Sequence, residues 1–179
     1  MVSARRLCAS LAAVVALADV AAAQWNIDQS NTAPTNLSAY CANQQSLYQS
    51  FKPRISPLTA IDLEVNLIPV LGDWTELRLR RASPAGDVVA EARVFAAANG
   101  WLRFDLAAPL AMDVGNVYVI EWLRPYGWMF NDDDPYDAGW GYNCIAAPRL
   151  DWDFHFRTWT GGIGLQATTW SRLKTLYDR

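Results

Sequence analysis

An antiparallel β-sandwich, jelly-roll-like and ending in a short C-terminal helix, is the fold class this sequence predicts. Three observations predict it. Apolar residues recur at every second position in several short segments, and Gly, Pro, Asn and Asp cluster between those segments. No helical period of useful length occurs before residue 168.

The elements follow in order. Arg5 and Arg6, the apolar run Leu7 to Leu17 and the small residues Ala21-Ala22-Ala23 predict an export signal over residues 1–23. That run is far shorter than the about 20 residues a membrane-crossing helix needs, so no transmembrane segment is expected after cleavage. Cleavage after Ala23 leaves 156 of the 179 residues, enough for one domain with a real core. The whole chain carries 15 basic and 18 acidic residues; removing Arg5, Arg6 and Asp19 leaves 13 and 17, a net charge of −4. No basic patch is present, which argues against a nucleic-acid partner. Secreted, extracellular or cell-surface localisation is expected, with the periplasm as the alternative.

Residues 24–47 are polar and read as an extended arm pinned at Cys41. Cys41 and Cys144 are the two cysteines left after the leader, and an isolated pair in an exported chain predicts a disulfide. Residues 48–160 carry the sandwich. Ile61, Leu63 and Val65 alternate with Asp62 and Glu64, and Thr75, Leu77 and Leu79 alternate with Glu76, Arg78 and Arg80. Ser83-Pro84-Ala85-Gly86 is a turn by composition, as is Asp113-Val114-Gly115-Asn116. Strands are predicted over Val88 to Val94, Trp101 to Leu106, Val117 to Leu123 and around Phe154, Phe156 and Thr158. Residues 161–179 read as a Gly linker and a short amphipathic helix, with Trp170, Leu173 and Tyr177 on one face. That helix needs a partner surface, either the sandwich itself or another protein.

Several motifs carry a resemblance. They are Gln49-Ser50-Phe51-Lys52-Pro53, Ser56-Pro57-Leu58-Thr59-Ala60-Ile61-Asp62-Leu63, Leu77-Arg78-Leu79-Arg80 with Ser83-Pro84-Ala85-Gly86, Trp101-Leu102-Arg103-Phe104-Asp105-Leu106, and Phe156-Arg157-Thr158-Trp159. Over about residues 48–160 the chain resembles the galactose-binding-like, carbohydrate-binding-module type of jelly-roll sandwich found in secreted bacterial proteins. The resemblance implies a non-catalytic module that binds a glycan. Fold analogy alone transfers no particular ligand.

Residues 128–142 hold the candidate site. Asp132, Asp133, Asp134 and Asp137, with the amide of Asn131, fall in one short Pro/Gly-interrupted stretch. Calcium takes six to eight such oxygens, so this stretch is a candidate calcium loop, although its spacing is not that of an EF-hand. A solvated acidic loop is the alternative reading. Trp128, Tyr136, Trp140, Tyr142 and Tyr126 lie in or beside the same stretch and are candidate stacking surfaces for sugar rings. Trp101, Trp122 and Trp159 read instead as core. His155 is the sole histidine and has no nucleophile tied to it by motif, so no catalytic residues are assigned. Two further functional classes stay open. One is a structural or adhesion protein that binds another protein subunit; the other is a small glycan-active hydrolase pairing Glu121 with Asp132 or Asp137.

Overall fold

A computed structural model describes residues 25–42, 45–66 and 73–161. The expected leader and the expected helix around Trp170, Leu173 and Tyr177 lie outside the described residues.

Strands, and no helix, make up the regular structure of the described residues. In order they are β1 (Trp25–Asn31), β2 (Leu37–Ala39), β3 (Ser46–Phe51), β4 (Leu58–Val65), β5 (Asp73–Arg81), β6 (Val88–Ala96) and β7 (Gly100–Leu110). They continue as β8 (Tyr118–Leu123), β9 (Trp128–Asn131), β10 (Gly141–Tyr142), β11 (Pro148–Arg149), β12 (Asp153–Phe154) and β13 (Phe156–Gly161). The first sheet runs β1-β13-β4-β7, with β9 joining the end of β4 and carrying β12 and β2. The second runs β11-β10-β3-β8-β5-β6. All described pairings are antiparallel, so the expected sandwich is observed.

The period-two pattern is what packs the layers together. On β5, Thr75, Leu77 and Leu79 point inward and are buried, while Glu76, Arg78 and Arg80 stay partly solvated. Leu102 and Phe104 of β7, Ile61 and Leu63 of β4, and Phe156 and Thr158 of β13 supply the facing layer. The turns form where composition placed them. Gly86 donates its N–H to Ser83 O at 2.9 Å, and Asn116 donates to Asp113 O at 3.1 Å with Gly115 at φ 81°.

The stretch expected as an extended arm pinned at Cys41 is extended over Trp25–Asn31 and Leu37–Ala39, and it joins the first sheet there, β1 pairing with β13 as an edge strand and β2 pairing with β9. The Cys41–Cys144 disulfide is formed and ties the segment before β3 to the loop after β10.

One irregularity shapes the region beside the acidic loop. Between β12 and β13 the chain leaves the strand path at His155, whose N–H turns to Met129 O at 2.8 Å. Its carbonyl accepts from Glu64 N–H at 3.4 Å and from the Trp128 indole at 2.8 Å. The first sheet forks there: β13 stays on β4 and β12 moves to β9. The buried imidazole fills the fork, with Nδ1 2.8 Å from Glu64 Oε2 and Nε2 2.7 Å from Asn131 Oδ1. His155 is thus a structural junction.

Candidate functional site

The acidic stretch leaves β9 and returns to β10, crossing from the first sheet to the second. Asp132, Asp133, Asp134 and Asp137 are exposed, as expected of such a loop. Asn131 is not: its amide oxygen faces inward to His155 and to Asn31 Nδ2, so it is committed to protein partners. Asp134 has φ 51°, and its carboxyl reaches back toward Asp153. Asp153 is wholly buried, accepting from Gln49 Nε2 at 3.1 Å and from Tyr136 N–H at 2.9 Å. Burial, and then the like charge of Asp134, push its carboxyl up to about 6. Among the described residues no three His, Cys, Asp or Glu side chains converge as a metal cluster.

The rings assigned to this stretch separate into two groups. Trp128, Tyr136 and Tyr142 were expected to face a ligand, and this placement is corrected: all three are buried. Trp128 lies on the inward face of β9, opposite Ala39 of β2 and Val65 of β4, and its indole is packed in the core against Phe154 and Trp122. The Tyr136 hydroxyl donates to Gln29 Oε1 at 2.9 Å, and burial raises its pKa. Tyr142 packs edge-to-face on Tyr48. Trp140 and Tyr126 are exposed. Trp140 N–H donates to Ser50 Oγ, whereas Tyr126 follows Leu123, which pairs with Ser46, so the two rings stand at opposite ends of β3. They do not form one platform. Beside the loop a polar cleft of about 300 Å³ opens between Asp28, Arg54, Tyr136 and Asp137. Asp28 accepts the Arg54 N–H there, and partial burial raises its pKa.

The aromatic surface lies elsewhere, on the outer face of the first sheet. Sheet register sets it up. Arg157 is opposite Asp62, which is opposite Arg103; in the next row Ile27, Trp159, Ala60 and Asp105 line up. Trp101 stands opposite Glu64, in the row on the other side of Asp62 from Trp159. The Arg103 guanidinium lies 4.1 Å from the Trp25 ring centre and 5.1 Å from that of Trp159, and Arg157 lies 3.8 Å over Trp101. Trp25 and Trp159 meet edge-to-face with centroids 6.5 Å apart.

Beneath this layer sits Asp62, only 5% exposed. Its Oδ2 accepts the Trp159 indole N–H at 2.7 Å. Its Oδ1 has no hydrogen-bond partner, with Arg103 Nη1 3.8 Å away, and Arg103 Nη2 has none either. Burial raises the Asp62 pKa, while the Trp159 hydrogen bond and then the Arg103 and Arg157 charges hold it down. Three indoles, two guanidinium groups and a buried carboxylate with a spare acceptor therefore share one face. Such a face offers flat apolar area beside fixed donors and acceptors.

Sequence reasoning placed Trp101 and Trp159 in the core and passed over Trp25. The signal was present, since the alternation that turns Leu102 and Phe104 inward turns Trp101 outward. Glu121, the carboxylate considered for hydrolysis, is buried and accepts from Arg80 Nε at 2.6 Å on the other sheet. Among the described residues no helix is long and apolar enough to cross a membrane. Compared with known proteins, the chain matches no family model, no curated sequence and no solved structure.

Proposed function

We propose that this chain is an exported, non-catalytic glycan-binding sandwich whose ligand lies on the outer face of the first sheet, across Trp25, Trp159 and Trp101. The observation that carries the reading is Asp62: a carboxylate 5% exposed, with one oxygen lacking a hydrogen-bond partner, under a layer of half-exposed indoles. A buried acceptor left unpaired costs about 1–3 kcal/mol, and a sugar hydroxyl offers the missing donor once the Arg103 guanidinium above Oδ1 moves aside to admit it. Sugar rings present C–H faces that pack on indoles, and arginine supplies further donors to hydroxyls. The Cys41–Cys144 disulfide supports an oxidising compartment and hence export.

Glycan-array screening followed by titration calorimetry tests this reading, with and without chelator to score a calcium requirement. Trp25→Ala and Trp159→Ala are expected to weaken binding about tenfold or more, as loss of a central aromatic contact does. Asp62→Asn is expected to weaken it less. Trp140→Ala and Tyr126→Ala are expected to change little. Binding lost only in Trp140→Ala moves the site to the acidic loop, and no glycan bound at all defeats the reading.

A further inference from the structure

Strand β6 ends the second sheet, and among the described residues it pairs with β5 alone. An open edge of this length is a template for another strand, and proteins commonly guard such edges with charge. The charges here are Glu91 and Arg93, placed on either side of Ala92. Both point to the outer face, where Glu91 meets Arg78 at 2.8 Å and Arg93 stands opposite Glu76 and over the Trp74 ring.

We infer that β6 is a homodimer interface, pairing antiparallel with β6 of a second copy about a two-fold axis through Ala92. In that register Glu91 of each copy faces Arg93 of the other. Two-fold symmetry would bring like charges together across many guarded edges; across this one it brings opposite charges together twice. The pairing also extends a row of alternating sign, Glu121-Arg78-Glu91 of one copy running into Arg93-Glu76 of the next. On the inner face the axis falls on small residues, Ala92 on Ala92 and Ala90 on Val94, which lets two strands approach without steric conflict. At each end the exposed Phe95 of one copy comes to the Val88-Val89 end of the other, covering apolar surface now open to water. The five central residues Ala90 to Val94 hold regular register with β5, the one irregularity falling at Val89. A cleft of about 420 Å³ lies along this edge, between Glu91, Ala92 and Arg93 on one side and Asp105 and Ala107 of β7 on the other, which leaves room beside the strand.

Sedimentation velocity across a concentration series is the test. The chain is expected to shift from monomer to dimer as concentration rises. Glu91→Arg alone and Arg93→Glu alone each set like charges facing twice, and each is expected to weaken the dimer about tenfold or more. The first variant carries a wholly basic edge and the second a wholly acidic one. Mixed in equal amounts they restore opposite charges at both facing positions, and a heterodimer is expected to return. Circular dichroism and melting curves confirm that each variant is folded. Should either variant fail to fold, hydrogen exchange on the unaltered chain decides: the free-edge amides between Ala90 and Val94 gain protection as the dimer forms. A chain that stays monomeric at millimolar concentration overturns the inference. So does a dimer untouched by either single substitution, a mixture that stays monomeric, or β6 amides whose exchange ignores concentration.

Discussion

The indole of Trp128 stacks on the ring of Phe154 with centroids 4.5 Å apart, and the same indole donates its N–H to the carbonyl of His155 at 2.8 Å. One side chain thus packs against β12 and ties down the point where the first sheet forks. Trp122 meets it edge-to-face from the opposite sheet at 5.8 Å, so Trp128 bridges both layers. Truncating a fully buried indole removes its transfer free energy and leaves a cavity. Trp128→Ala is expected to cost about 3–5 kcal/mol in urea unfolding. Trp128→Phe keeps a ring but drops the N–H, and because Glu64 N–H still serves His155 O, the added cost of the lost bond is about 1 kcal/mol. Folded, fully stable Trp128→Ala protein would show that this indole is not structural.

That burial explains what the sequence could and could not reveal. Alternation of apolar and polar residues is a local property, and it located β5, β7 and β13 because each of these strands has one wetter face. Trp128 lies in a four-residue strand covered on both edges, where Trp128-Met129-Phe130 leaves no clean alternation to read. Composition alone then suggested an exposed aromatic loop. Trp159 failed in the opposite direction: its neighbours Thr158 and Thr160 are buried, yet threonine gives a weak apolar signal, so the inward set looked less apolar than the outward one. The polar segment at β1 has the same weakness. Gln29 and Asn31 are its inward residues, and they are buried through hydrogen bonds to Tyr136 and to the β12 backbone. Only the three-dimensional pairing supplies those partners.

The Cys41–Cys144 bridge closes a loop with a sequence separation of 103. On the chain-entropy account a loop of this length stabilises the fold by about 4–5 kcal/mol, mainly by restricting the unfolded chain. Replacing both cysteines by alanine is expected to lower stability by that order. The test is the guanidinium midpoint of the oxidised chain against that of the double variant. An unchanged midpoint would mean that the unfolded chain gains little freedom when the bridge is absent.

Arg103 is held between Trp25 and Trp159 and also faces the carboxylate of Asp62. Arg103→Leu removes the cation while leaving Asp62 in place, with the Trp159 indole as its one remaining close partner. The expected loss near neutral pH is about 1–3 kcal/mol. The pH dependence identifies the cause. Burial already raises the Asp62 pKa, so this group favours the fold most when protonated, below about 4, and that contribution is lost as pH rises through the folded value. Without Arg103 the folded value rises further. The deficit against the unaltered chain should therefore be smallest in acid and grow toward neutrality; a deficit independent of pH would assign the effect to packing on the indoles alone.

Asp153 offers the sharper titration. Its carboxyl is pushed up to about 6, first by burial and then by Asp134, against an unfolded value of about 3.9. Between those two values the folded chain holds a proton that the unfolded chain has released. Stability from this group is thus fully present below about pH 4, falls as pH rises through about 6, and levels off above. Asp134→Asn removes the neighbouring charge and sets an amide that can donate to the Asp153 carboxylate. It should move the Asp153 titration downward and flatten the fall in stability over that window. Burial is the larger cause and is untouched, so the titration should stay above the ordinary carboxylate range. Carboxyl-carbon NMR titration with urea unfolding at matched pH measures both effects. An unmoved Asp153 titration in Asp134→Asn would separate the acidic loop from the buried Gln49–Asp153–Tyr136 network and leave desolvation as the sole cause.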